Sequence, residues 1–212
     1  MSLWALVPVK SRHLAKGRLS PVLSPRQRRE LTETMLRALL RRLSEVRGLD
    51  GVALVTSDAW ELASGPRLIA YPSGDLNAAS AHGAQVLAEA GATALLVLPA
   101  DIPCAGTAEI ERLLTVGREC PVVVVPDRHG RGTNALYLRP PTCLAPAFGP
   151  DSFRRHLRLA ASLGLEARSL PLPGIGFDID TPTDLARLRA RSEAHGGGAP
   201  LDTRADAQVA VR

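Results

Sequence analysis

Three places in the chain combine residue types that could act together on a phosphorylated substrate. Asp178 and Asp180 stand one residue apart in FDIDTP. In an extended segment the side chains at i and i+2 face one side, so both carboxylates point together. Two charges held that close repel by about 1–4 kcal/mol unless a cation lies between them. A hard divalent ion is the economical partner, and magnesium usually keeps one or two carboxylates plus substrate phosphates as ligands. Asp101, in LPADIP, directly follows an apolar run and is flanked by Pro99 and Pro103, which fix the backbone. The third place follows the first apolar run, where Lys10, Lys16 and Arg18 cluster around Gly17 in a segment suited to a polyphosphate. Each has a plainer reading as well: Asp180 as a helix opener, Asp101 as a turn or cap, the basic segment as a solvated loop.

Lys10 and Lys16 are the only lysines among 26 Lys and Arg residues, so a compact ammonium beside the first strand stands out. The net charge of +5 does not make the chain a nucleic-acid binder. Aromatic residues are only 3%, too few for stacking platforms, and no RNA-binding or zinc-finger signature is present. The P-loop pattern GxxxxGK[ST] is also absent. Cys104, Cys120 and Cys143 are odd in number and widely spaced, which supports neither a disulfide framework nor a zinc site. The five histidines are scattered, and each reads as a lone surface residue.

The elements that must position these residues follow from patterning. Leu3 to Val9 reads as a strand buried on both faces. Ser24, Pro25 and Gln27 form a helix start, and Leu31, Met35, Leu39 and Leu43 mark one face of the helix that follows. Further strands are expected at 52–56, 67–71, 94–98, 121–125, 135–138 and near 165–170. Helices are expected at 78–90 behind an Asp75 cap, at 107–116, at 152–163 ending before Gly164, and from the Thr181–Asp184 capping box onward. Strands alternating with helices at this spacing predict a single-domain, three-layer α/β/α fold with a mostly parallel sheet over residues 1–194. In such sheets ligands sit outside the carboxyl ends of the strands, where Asp101 and the basic segment fall. Residues 195–212, rich in glycine and small polar residues, are expected to form a disordered tail. No apolar run approaches the ~18–20 residues of a membrane span, and the amino terminus has no basic leader, so a cytoplasmic protein is expected.

The set VPVKS with AKGRLS, GDLN at 74–77, LPADIP, GTNAL at 132–136, FGPDSFRRH at 148–156 and FDIDTP occurs in an order that resembles one family. The resemblance is to nucleotidyltransferases of the glycosyltransferase-A-like, nucleotide-diphospho-sugar transferase fold. Within them it is to the phosphoenolpyruvate or 2-phospho-L-lactate guanylyltransferases of coenzyme F-420 biosynthesis. It covers residues 3 to about 190 and implies GTP as co-substrate with Mg2+ as cofactor. Asp101, Asp178 and Asp180 would hold the metal. Thr133, Gly149 and Ser152 would hold the phosphorylated three-carbon acid. Lys10, Lys16 and Arg18 would meet the nucleotide phosphates, with Lys16 also catalytic and Asn77 near the base or ribose. The partners implied are these small molecules, with no nucleic acid and no membrane. Between Val125 and TNAL, the longer turn with His129 and Arg131 departs from the short glycine-rich turn of the family. Two other readings stand beside this one: a nucleotidyltransferase with a molybdopterin or sugar-phosphate acceptor, and a nucleotide-binding α/β domain without turnover.

Overall fold

The computed structural model describes residues 2–9, 16–58, 65–72 and 75–194. Among them, seven strands form one sheet: β1 (Leu3–Val9), β2 (Gly51–Thr56), β3 (Arg67–Ala70), β4 (Ala94–Val97), β5 (Val122–Pro126), β6 (Thr133–Leu138) and β7 (Ala167–Ser169). Their order is β3-β2-β1-β4-β6-β5-β7. β6 runs antiparallel to both β4 and β5, and the remaining pairings are parallel. The β1 to β2 crossover goes to one side of β1 while β4 lies on the other. This makes the carboxyl ends of β1 and β4 the topological switch point, where a ligand crevice opens.

The helices are α1 (Pro25–Glu45), α2 (Leu76–Glu89), α3 (Thr107–Glu119), α4 (Ser152–Ser162) and α5 (Pro182–Ala194). α1 opens as its sequence predicts: Ser24 accepts from the Gln27 amide while the Gln27 side chain accepts from the Ser24 amide. Asp75 caps α2 by accepting from the Asn77 amide. Because strand side chains alternate, the sheet has two apolar faces. Ala5, Val7, Leu96 and Val123 pack under Leu36, Leu39, Leu43, Ile110 and Leu113 of α1 and α3. Leu6, Leu95, Val97 and Leu136 pack under Ala84, Leu87 and Ala160 of α2 and α4. A Cβ on Gly117 would stand 2.5 Å from the Tyr137 ring, so glycine is what lets α3 lie this close to β6.

A third cluster matters most for the site. Leu19, Met35, Phe177, Ile179, Leu185 and Leu188 are buried against one another. Burying such a side chain is worth about 1.5–3 kcal/mol, so the cluster fastens four pieces together: the segment after β1, α1, the FDID segment and α5. The structure departs from the sequence reading in detail. A 3-10 turn at Gly17–Leu19 interrupts what reads as polar loop, β6 starts at Thr133, and α3 continues to Glu119. Lys10 and the expected tail from 195 lie outside the described residues.

Candidate functional site

The Lys16 Nζ lies 2.5 Å from Asp101 Oδ2 and 3.0 Å from Asp180 Oδ1, with its side chain only 8% exposed. Arg18 Nη1 approaches Asp180 Oδ2 at 3.6 Å from the solvent side. Burial disfavours the ammonium, but the charges and hydrogen bonds of Asp101 and Asp180 outweigh it, and the Lys16 pKa stands above its ordinary value. Lys16 has φ 56° and ψ 41°, the left-handed region in which glycine is at ease and a lysine is held at a cost. These residues line a cleft of about 370 Å³ with Pro8 and Val9 from the end of β1, Pro99 and Ala100 after β4, and Leu76 at the start of α2. The cleft therefore opens at the switch point.

The FDID segment is docked on the loop after β4 by a hydrogen bond from the Ile179 amide to the Asp101 carbonyl, 3.0 Å. Phe177 and Ile179 are buried while Asp178 and Asp180 are only half-buried, the alternation expected of an extended segment. Asp178 accepts from Asn134 Nδ2 at 3.3 Å. Burial first, then the charge of Asp101 and more weakly that of Asp180, push its carboxyl above the usual carboxylate range, against the hydrogen bond from Asn134. Among the described residues no three acidic, histidine or cysteine side chains converge at metal-ligating geometry. The positive charge between Asp101 and Asp180 is that of Lys16.

The residues assigned to the acid form a second group, absent from the lining of that cleft. Thr133 Oγ1 is 2.9 Å from His156 Nδ1, and the Ala147 amide donates to His156 Nε2, also at 2.9 Å. Gly149, at φ +119°, and Ser152, almost fully buried at the start of α4, follow that loop. The Ser152 amide donates to the Gly149 carbonyl and the Phe153 amide to the Arg131 carbonyl, so the 127–132 turn and the start of α4 are joined. The turn around His129 and Arg131 is organised by Asp127, whose carboxylate accepts from both their amides. The two groups meet through neighbours in β6: Thr133 belongs to the second, and Asn134 reaches Asp178 in the first.

The Asn77 amide donates to the Phe148 carbonyl and accepts from the Phe148 amide, clamping the loop that carries Gly149. One expectation is corrected here. His156 is fully buried rather than a surface residue. Burial, with the charge of Arg155, outweighs a hydrogen bond with the Ser152 backbone and lowers its pKa from 6.5 to about 4. A base whose folded pKa is depressed contributes stability that is complete above its unfolded pKa and lost as pH falls. Between pH 6.5 and 4 the protein should therefore lose about 3 kcal/mol more stability than its His156→Gln variant, as pH-resolved melts of both would read.

Of the residues that hold the site in place, sequence reasoning gave Asp184 only as a helix cap and missed Arg128, Glu109 and Asn134. Arg128 pairs with Asp184, donates to the Asp178 carbonyl at 3.3 Å and lies over the Phe177 ring. Asp184 is the capping-box residue of α5, accepting from the Asp180 and Thr181 amides. Glu109 accepts from the Gly174 and Ile175 amides, anchoring the approach to FDID. The capping-box spacing was the signal for Asp184; nothing local marks Arg128 or Asn134.

The mostly parallel sheet shares its fold with solved structures described as nucleotide-diphospho-sugar transferase. A structure from Desulfovibrio desulfuricans G20 described as such a transferase matches with a TM-score of 0.76 at 19% identity, covering 96% of this chain and 94% of that one. The chain belongs to the family described as guanylyl transferase CofC like, whose model matches residues 3–198. Its relatives include the phosphoenolpyruvate guanylyltransferase of Rubrobacter xylanophilus, 43% identical over 205 residues, 93% of this chain and 96% of the relative. The protein of the same name from Sphaerobacter thermophilus is 38% identical over 210 residues, 97% of this chain and 98% of the relative. No helix among the described residues is long and apolar enough to cross a membrane.

Proposed function

We propose that the protein transfers GMP from GTP to the phosphate of a phosphorylated three-carbon acid, with phosphoenolpyruvate as the first candidate and 2-phospho-L-lactate as the second. The observation that carries this reading is the Lys16–Asp101–Asp180 cluster at the switch point in a chain that matches the family over nearly its whole length. The family resemblance implies that the product is the first intermediate of coenzyme F-420.

A phosphate oxygen of the acceptor is already ionised at neutral pH and needs no general base. It attacks the α-phosphorus of GTP, the bond from that phosphorus to the bridging oxygen breaks, and pyrophosphate leaves with the electron pair. Catalysis is then alignment and charge neutralisation. Lys16 and Arg18 supply positive charge beside the phosphates. Thr133, Gly149 and Ser152 hold the acid, and Asn77 acts from behind by clamping Phe148. The carboxylates are all oxygen donors, the type a hard cation takes, and burial first, then the charges of Asp101 and Asp180, disfavour the ionised form of Asp178. In this structure Lys16 stands between Asp101 and Asp180, and an ion would share their charge with it. Asp101, Asp178 and Asp180 would hold magnesium, which would supply further charge neutralisation at the phosphates.

Purified protein, GTP and magnesium incubated with phosphoenolpyruvate, 2-phospho-L-lactate, 3-phosphoglycerate and a sugar phosphate in turn test the reading. Acid-dependent pyrophosphate release and a mass matching the guanylylated acid are expected with one of the first two. Turnover only with the sugar phosphate, or GTP binding with no turnover at all, would overturn it.

A further inference from the structure

His156 belongs to none of the assigned roles, yet its ring is the only group that touches both arms of the second cluster among the described hydrogen bonds. Its two ring nitrogens have different partners. Ala147 contributes a backbone N–H, which can only donate, so Nε2 must present its lone pair. A neutral ring then carries its proton on Nδ1, where Thr133 Oγ1, 2.9 Å away, accepts it alongside the Ser152 backbone. A hydroxyl has one hydrogen and two acceptor sites. With one acceptor site taken by the histidine, the Thr133 hydrogen is directed away from the ring.

That polarity matters for the proposed ligand. A phosphorylated carboxylate at neutral pH presents acceptor oxygens only, and a threonine hydroxyl could meet it in the wrong sense if its hydrogen were committed elsewhere. At the same time the bond to Ala147 fixes the start of the 147–149 loop. Phe148 is held from the other side by Asn77 and packs edge-on against the His156 ring at 5.2 Å. Both ring nitrogens are thus engaged, one by the first residue of β6 and the other by the loop before α4, so this one buried ring ties the two arms together.

We infer that His156 is a positioning residue of the acid site: through its Nδ1–H tautomer it fixes the Thr133 hydroxyl as a hydrogen-bond donor and holds the loop leading to Gly149. The inference rests on the reading that Thr133 and Gly149 meet the acid. It says in addition that the effect runs through one tautomer of one buried ring.

Long-range 1H–15N correlation on the wild-type protein reads the tautomer directly. The His156 spin system is expected as Nδ1–H at pH 7, with its Nδ1 resonance moving when phosphoenolpyruvate is added; the Nε2–H form would overturn the inference whatever the variants do. Kinetics supply the second arm. His156→Gln keeps an acceptor near Ala147 but loses the donor to Thr133. It is expected to raise the KM for phosphoenolpyruvate about tenfold and to change the KM for GTP less than twofold. Thr133→Val should do the same, and the double variant should be no worse than either alone. Equal effects on both substrates, or additive losses in the double variant, would reduce His156 to a structural role. If Thr133→Val leaves the acid KM unchanged, the assignment of the acid to Thr133 fails first. If Thr133→Val raises it and His156→Gln does not, only the inference fails.

Discussion

Asp178→Asn should cut guanylyl transfer by roughly 10²-fold or more while leaving the protein as stable at neutral pH as the wild type, or more so. Losing one preorganised electrostatic contact in an active site typically costs about 3–4 kcal/mol of transition-state stabilisation, and that sets the size of the activity loss. The stability effect has the opposite sign for a physical reason. Burial and the neighbouring Asp101 and Asp180 raise the Asp178 pKa in the folded chain. A carboxyl with a raised folded pKa favours folding only while it is protonated. That contribution is complete below the unfolded value of 3.8 and disappears as pH rises through the folded value, leaving a net cost at neutral pH. Asparagine removes the charge and keeps an oxygen that can accept from Asn134. Melts at pH 7 and at pH 4, paired with pyrophosphate-release assays, read both halves. The stability gain should shrink toward the acid end. A capping or scaffolding aspartate would give the reverse pattern, lower stability with activity retained, and that result would remove Asp178 from the site.

The sheet and the helices that carry the site were legible because their signals are local. The Ser24–Gln27 and Thr181–Asp184 spacings write out capping boxes, and both formed. The apolar run Leu3–Val9 could only be a strand covered on both faces, and its alternate residues do enter opposite cores. The direction of β6 was not legible, since an apolar strand looks the same read either way and only the turn at 127–132 decides it. Candidate site residues stood out where the chemistry itself is unusual, as with Lys16 in an arginine-rich chain or two aspartates at i and i+2. What escaped notice was pairing across long separations. Lys16 meets Asp101 and Asp180 at separations of 85 and 164 residues, and no window of sequence contains that contact. His156 was misjudged for the same reason. Its ring partners are Thr133, at the start of β6, and Ala147, on the loop before α4, which only the fold brings together.

Lys16→Ala should be as damaging to turnover as the Asp178 variant but opposite to it in stability. The lysine is nearly buried between two carboxylates, and its raised pKa means that its contribution is complete below the unfolded value of 10.5 and so fully present at neutral pH. Removing one partner of a buried ion pair costs about 3–5 kcal/mol. Here Asp101 and Asp180 are 27% and 43% exposed, so water can resolvate them and a loss of about 1–3 kcal/mol is expected. Turnover should fall about 10²-fold, because an incoming triphosphate would then meet three carboxylates without the ammonium that offsets them. Arg37, exposed on α1, provides the control: Arg37→Ala should change neither property. The double variant separates electrostatics from packing. If the cost of losing Lys16 is mutual repulsion among Asp101, Asp178 and Asp180, then adding Asp178→Asn to Lys16→Ala should restore part of the stability and none of the activity. Strictly additive melting temperatures would place the cost in lost side-chain packing instead. Backbone conformation gives the same experiment a further handle. Lys16 sits at φ 56°, where glycine is at ease, so Lys16→Gly should be more stable than Lys16→Ala while equally inactive. A lysine kept where the backbone favours glycine is one whose ammonium the site requires.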